Sequence, residues 1–144
     1  PTVAVGGTSA LAFKLTTTPA NGGSPVDSRF LTVTVTNPDV TSPAVNPPTA
    51  LQGSSSTLKK STLTTLSTTA TDNVAVTSVT FFYSYTLNGL KQSGTVAGIK
   101  STTTANTWTG TFTPSVAASY TFTAVASDAA GNKTTSAATT KTVQ

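Results

Sequence analysis

The sequence contains no histidine, cysteine, methionine or glutamate. These absences remove the most common general base, the thiol nucleophile and the soft metal ligands. They also exclude a disulfide framework. A serine nucleophile would need a base that this chain has few means to supply, and Ser56-Thr57-Leu58-Lys59 has the Ser-x-x-Lys spacing only on a polar connecting segment. We therefore predict that the chain is not an enzyme and assign no catalytic residue.

Charged residues are scarce as well, at 8% of the chain, against about 25% in typical soluble proteins. Threonine supplies about a quarter of the sequence, so hydroxyl groups provide most of the surface polarity. Threonine is β-branched and suits a pleated, half-exposed strand. A low charge also weakens the repulsion that opposes close lateral packing. This composition is typical of an extracellular or cell-surface β module or fibre.

The net charge of +4 reflects a shortage of acids rather than a basic patch. The lysines and the arginine are scattered, with only Lys59 and Lys60 adjacent, and no zinc-finger or RNP-like pattern accompanies them. No apolar run approaches the roughly 18 residues that cross a bilayer. We expect neither a nucleic-acid partner nor insertion into a membrane.

A proline-rich stretch at 36–48 divides the chain. Proline fixes its own φ and biases the preceding residue towards extended conformations, so this stretch predicts a stiff junction. We place a domain boundary near residue 40, between a strand-rich segment at 1–40 and a domain at 41–144. The second part has about the size of an immunoglobulin-like sandwich.

Short runs of alternating apolar residues, separated by turn signals, fill residues 41–144. They predict strands at 43–52, 61–71, 77–87, 94–103, 106–113, 120–126 and 133–143. No stretch has a 3.6-residue period, so almost no helix is expected. The predicted fold class is all-β, an immunoglobulin-like antiparallel β-sandwich with an N-terminal strand-rich extension. The alternation places Val79, Phe81, Tyr83 and Tyr85 on one face of their strand, Trp108, Gly110 and Phe112 on one face of another, and Tyr120, Phe122, Ala124 and Ala126 on one face of a third.

Three segments of this region resemble the bacterial immunoglobulin-like (Big-type) modules that are repeated in surface adhesins and appended to secreted enzymes. They are TATDNVAVTSVTFF at 69–82, WTGTF at 108–112 and SYTFTAVASDAAGN at 119–132, and the resemblance covers about 41–144. It implies a sandwich fold and a secreted or surface location. Such modules serve as spacers, adhesive domains and fibre units alike.

The first forty residues predict three short strands, at 1–5, 10–15 and 30–35, with a loop rich in glycine and proline at 19–28. Three such strands are marginal alone, and their unpaired edges invite a further strand. They either pack on the following domain or are completed by a neighbouring copy of the chain, which would make the protein a polymer subunit. The residues expected to hold such an assembly are Leu11, Phe13, Leu15, Leu31, Val33 and Val35.

Acidic and amide side chains stand in two predicted turns at one end of the sandwich. Asp72 and Asn73 lie between the second and third strands, Asp128 and Asn132 lie between the last two, and Asp39 lies on the linker. Carboxylate and amide oxygens suit a hard cation, so these five residues are a candidate calcium site. The alternative is that the side chains only cap their own turns.

Asn132-Lys133-Thr134 is also a formal glycosylation sequon.

The favoured function is a non-enzymatic structural module of an extracellular protein, including a self-assembling filament subunit. Its partners would be further copies of itself or neighbouring immunoglobulin-like domains. The alternative is an adhesive or carbohydrate-binding module, or a spacer of a larger secreted protein, that contacts a carbohydrate or host surface through its loops. Trp108, Tyr83, Tyr85 and Tyr120 could offer a sugar-stacking face, but their alternation predicts burial, with Tyr85 left open because it approaches a strand end.

Overall fold

The computed structural model describes residues 3–17, 19–23 and 26–144, and it describes no side chains at 14–17 and 26–31. It divides into two compact units, Pro1–Asp39 and Val40–Gln144. Every regular element in the described residues is a β-strand, and the named strands pair antiparallel. No helix long and apolar enough to cross a bilayer occurs in this part of the chain. The protein is all-β, as predicted.

The first unit contains two long strands, β1 (Thr8–Thr17) and β2 (Val26–Thr36), which form a two-stranded sheet. We call this sheet the ribbon. Its backbone register sets Leu11 opposite Val33 and Phe13 opposite Leu31. The first predicted strand is wrong over its described residues, because 3–5 lead into a turn. Pro1 and Thr2 lie outside the described residues.

The second unit is a sandwich of ten strands. In chain order they are β3 (Ala44–Val45), β4 (Thr49–Leu51), β5 (Thr64–Thr71), β6 (Val76–Leu87), β7 (Leu90–Ala97), β8 (Ile99–Lys100), β9 (Thr107–Phe112), β10 (Ala118–Asp128), β11 (Lys133–Thr135) and β12 (Thr139–Val143). One sheet has the order β11-β10-β6-β7 with β12 also paired to β10, and the other has β3-β5-β9-β8 with β4 also paired to β5. This arrangement is an immunoglobulin-like antiparallel sandwich.

The core lies between the two sheets, and β10 shows most clearly how the sequence builds it. Its buried and half-exposed residues alternate along the strand, as the period of two requires. Tyr120, Phe122 and Ala124 are at most 1% exposed, and Trp108 of the opposite sheet is 5% exposed. The predicted core face is confirmed, with Tyr83, Tyr85 and Phe112 packed against it as partly buried residues.

Two predicted strands are each interrupted. The strand expected at 43–52 is present only as β3 and β4, because Pro47 and Pro48 between them have no N–H to donate to a sheet. The strand expected at 133–143 is present as β11 and β12, separated at 136–138. There the buried Ser136 is bonded to Ala124 twice: its Oγ accepts from the Ala124 N–H at 2.9 Å, and its own N–H donates to the Ala124 carbonyl oxygen at 2.8 Å.

The strand predicted at 94–103 is divided between the two sheets. β7 pairs with β6 in one sheet, whereas β8 pairs with β9 in the other. The chain changes sheets at Gly98, whose N–H donates to the Val79 carbonyl oxygen at 2.8 Å. A Cβ at this position would lie 2.7 Å from that same oxygen, so the crossing needs glycine. Periodicity alone does not reveal a strand that changes partners.

Candidate functional site

Asp72 caps the turn between β5 and β6. Its Oδ2 accepts hydrogen bonds from the Val74 N–H at 3.0 Å and the Ala75 N–H at 3.1 Å. One oxygen of the Asp72 carboxylate therefore caps its own turn, as the turn-capping alternative predicted. The other oxygen, Oδ1, is buried and has no hydrogen-bond partner. A buried carboxylate oxygen without a partner is costly, because its hydration is lost and nothing replaces it.

Asp128 closes the turn between β10 and β11. Its Oδ1 accepts from the Asn132 N–H at 2.8 Å and its Oδ2 accepts from the Asn132 Nδ2 at 2.7 Å. Burial by itself would raise the pKa of Asp128. The hydrogen bonds from the Asn132 side chain and from the N–H groups of Asn132, Gly131 and Ala130 outweigh it, and the pKa lies below the usual value.

The two turns meet because β6 and β10 are paired. The register sets Asp128 opposite Val76, at the start of β6, only four residues beyond Asp72. A carboxylate oxygen of Asp72 consequently lies within 4.8 Å of one of Asp128. An ion midway between two oxygens at that separation would contact each at about 2.4 Å, which is within the range for calcium. We call Asp72 and Asp128 the carboxylate pair.

The other predicted ligands, Asn73, Asn132 and Asp39, differ in their exposure and in their hydrogen bonds. Asn73 is exposed in the Asp72 turn. Asn132 is half-buried, and its Nδ2 donates to Thr41 O at 3.3 Å as well as to Asp128. Asp39 is a buried residue that stands two residues before Thr41 in the sequence. Its place as a third carboxylate ligand stays a prediction.

The chemistry of the carboxylate pair fits a hard cation. Two carboxylates supply oxygen ligands only, and the unsatisfied Asp72 Oδ1 is the atom that a cation would complete. Asp128 does not suit the general-acid role in glycoside hydrolysis, because that role needs a carboxyl group that keeps its proton near neutral pH and the pKa of Asp128 is lowered. The amide nitrogen of Asn132 is already hydrogen-bonded twice, which also disfavours this residue as a glycan acceptor.

The aromatic residues considered as a sugar-stacking face lie in the core instead. Trp108 and Tyr120 are 5% and 1% exposed. Tyr85 stacks on Tyr120 with ring centroids 4.5 Å apart, and Tyr83 stacks on Phe112 at 4.9 Å. These rings stabilise the sandwich and do not form an open binding face.

One exposed aromatic residue was not singled out from the sequence. Phe82 lies on the outer face of the sheet and is 42% exposed. The available signal was the pair Phe81-Phe82, because consecutive residues of a strand point to opposite faces and only one of the two can enter the core. Phe81 is the buried member.

The predicted assembly residues lie on the ribbon. Phe13 is 55% exposed, and Val33 and Val35 are 40% and 41% exposed. Leu11 is half-buried. The side chains of Leu15 and Leu31 lie outside the described residues. The described members thus include three large apolar side chains that reach solvent.

Acidification is expected to destabilise the sandwich through Asp128. The folded-state pKa of Asp128 is lowered, whereas the unfolded value is about 3.9. The stabilising contribution is therefore complete above the unfolded pKa and is lost as the pH falls through the folded one. Denaturant midpoints from pH 7 to pH 2.5 should decline less steeply below pH 5 in Asp128→Asn than in the wild-type chain. Equal slopes would contradict the assignment.

The segments that resemble bacterial immunoglobulin-like modules lie on β5, β6, β9 and β10 and on the turns beside the carboxylate pair. No protein-family model matches the chain, and no curated protein sequence matches it either. Membership of that family stays a prediction. The assignment of the sandwich fold depends on the observed strand order and packing.

Proposed function

We propose that the chain is a non-enzymatic structural module of an extracellular surface protein, and that identical chains assemble into a filament through the ribbon. The observation that carries this proposal is the ribbon itself: a two-stranded sheet with exposed Phe13, Val33 and Val35. A two-stranded sheet is marginally stable in water. A third strand would add hydrogen bonds along an open edge and cover these apolar side chains.

A second copy of the chain is the occupant that this surface suits best. Pairing between two identical ribbon edges would be isologous and would close a dimer, whereas pairing between the ribbon of one chain and a different surface of the next is heterologous. Such contacts extend into filaments unless their rotation closes a ring. The low charge supports the assembly of identical chains. Only 8% of the residues are charged, so there is little electrostatic repulsion between neighbouring copies.

The composition also supports a structural rather than an enzymatic role. The chain has no histidine, cysteine or glutamate, and Asp72 and Asp128 both accept hydrogen bonds within their own turns. Threonine-rich strands and the resemblance to surface modules favour an extracellular location. A spacer of a larger secreted protein is the alternative, and it predicts no concentration-dependent assembly.

We further propose that the carboxylate pair binds calcium and that the ion stabilises this end of the sandwich. Asp72 and Asp128 would be ligands, with Asp39, Asn73 and Asn132 as the remaining candidates. The support is the separation of the carboxylate oxygens and the buried, unpartnered Asp72 Oδ1. Calcium takes six to eight oxygen ligands, so water or backbone oxygens would complete the shell.

Substituting the exposed face of the ribbon is expected to abolish assembly. Val33→Lys places a charge on the apolar face, whereas Thr34→Lys places the same charge on the next, also exposed, residue of the opposite face. Negative-stain electron microscopy and light scattering across a concentration series should show filaments in the wild type and in Thr34→Lys. Val33→Lys should remain monomeric.

A second variant separates loss of assembly from loss of folding. The buried core residues in the described part of the chain belong to the sandwich, so a chain without residues 1–39 should unfold cooperatively and remain a monomer. A wild-type chain that stays a compact monomer at every concentration would refute the filament and leave the spacer.

A further inference from the structure

The sandwich has a depression on the outer face of the sheet formed by β11, β10, β6 and β7. Its volume is about 460 Å³, and its lining includes Phe82, Ser84, Lys91, Ser93, Thr121 and Thr123. We call this depression the sheet cleft. All of its lining residues belong to the sandwich, so the cleft does not depend on the ribbon or on filament formation.

Strand register arranges the cleft as two rows of side chains. Phe82 stands between Thr95 and Thr123 on the neighbouring strands. In the next row Ser84 stands between Ser93 and Thr121. The outer face therefore presents one aromatic ring surrounded by hydroxyl groups about 4.8 Å apart across the sheet.

A single positive charge lies at one end of the cleft. Lys91 is exposed and is paired with Thr86, four residues along β6 from Phe82. At about 3.3 Å per residue this separates the two rows by about 13 Å, before the lysine side chain extends. None of the described residues that line the cleft is acidic. The cleft is electrostatically suited to an anion at that end and to a neutral group at the other.

Each part of the cleft matches a feature of an acidic oligosaccharide. Phe82, which is 42% exposed, offers a flat apolar surface to the C–H face of a sugar ring. The serine and threonine hydroxyls each donate and accept hydrogen bonds, as sugar hydroxyls do. Lys91 would form a charge-assisted hydrogen bond with a carboxylate. The length of the cleft favours several linked sugars over one.

We propose that the sheet cleft binds an oligosaccharide that contains uronic acid units. One ring packs on Phe82, its hydroxyl groups bond to Ser84, Ser93 or Thr123, and the carboxylate of another ring faces Lys91. This goes beyond a structural role, because a filament built from such modules would carry one glycan site in each subunit. Binding takes place on a sheet face and not through the loops.

Isothermal titration calorimetry of the full chain with trigalacturonate tests this inference. Phe82→Ala should weaken binding about tenfold, the loss of one stacking contact of roughly 1.4 kcal/mol. Lys91→Gln should weaken it by about tenfold or more and remove its salt dependence. Lys133→Gln is the matched control: Lys133 is exposed, lies on β11 of the same sheet and is outside the cleft lining.

The carboxylate is tested separately with the methyl ester of the same trisaccharide. The ester should bind the wild-type chain as weakly as trigalacturonate binds Lys91→Gln. Phe82 is exposed, so Phe82→Ala should remain folded at the temperature of the titration, and its unfolding midpoint must be measured alongside. No heat from trigalacturonate, equal binding of the ester, or equal losses in Lys133→Gln and Lys91→Gln would overturn the proposal. Binding of an acidic glutamate peptide in place of the saccharide would overturn it as well.

Discussion

Replacing Phe122 by alanine is expected to lower the free energy of unfolding by about 3–5 kcal/mol. Phe122 is fully buried in β10, with its ring centroid 5.6 Å from that of Phe112 in the opposite sheet and 6.1 Å from that of Tyr120. Removing the ring leaves a cavity between two sheets whose backbones are fixed by hydrogen bonds, so the site can collapse only in part. A loss of this size is a large fraction of the roughly 5–15 kcal/mol that stabilises a typical domain.

The chain provides its own probe and its own control for this measurement. Trp108 is the single tryptophan and lies in the core, so its fluorescence reports denaturant unfolding of the sandwich. Phe82→Ala makes the same substitution in the same sheet, but on the exposed face. We expect it to cost below about 1 kcal/mol, as surface substitutions usually do. Equal losses in the two variants would mean that the core is not packed between the sheets as described.

Calcium is expected to raise the stability of the sandwich by about 2.7 kcal/mol at a concentration one hundred times its dissociation constant. The physical reason is the carboxylate pair. Two buried or half-buried carboxylates within 4.8 Å repel each other, and one buried oxygen of Asp72 has no partner. A divalent cation removes both costs only in the folded state, because the unfolded chain keeps the two residues apart.

Denaturant unfolding with EDTA and with calcium up to millimolar concentrations measures this effect. Asp72→Asn should lose the calcium-dependent increase while keeping an oxygen that can accept from Val74 and Ala75. Asp39→Asn tests the predicted third ligand, and should weaken the response if Asp39 coordinates the ion. Magnesium should be less effective, since it requires smaller octahedral geometry and releases water reluctantly. An unchanged midpoint across the calcium series would refute the site.

The strand faces of the sandwich could be predicted from the sequence because a strand has a period of two. Tyr120, Phe122 and Ala124 alternate with polar residues, and that alternation places them on one face whatever their partners are. The Asn88-Gly89 turn was equally readable, since both residues have positive φ, 52° and 78°, which these residue types adopt at low cost. Strand faces and tight turns of this kind can be predicted because the residues that cause them are neighbours in the sequence.

Strand partners were harder to predict. The segment around Gly98 shows one continuous pattern, yet β7 and β8 pair in different sheets. The break between β11 and β12 contains Ser136, whose Oγ accepts a hydrogen bond from the Ala124 N–H, and no local sequence pattern predicts this contact. Choices of this kind depend on which strands are adjacent in space, and the spacing of residues along the chain does not contain that information.

The sequence by itself determined that this chain is all-β, that it lacks the usual catalytic groups, and that its acidic residues stand in turns. Composition and short-range periodicity decide these properties, because they depend on side-chain chemistry and on backbone preferences of neighbouring residues. The sequence predicted that Asp72 and Asp128 stand at the same end of the sandwich, but only the tertiary structure set their carboxylate oxygens within 4.8 Å and placed Phe82 and Lys91 in one cleft. Both depend on the register of β6 against β10 and β7, which packing of the core fixes over the whole sheet.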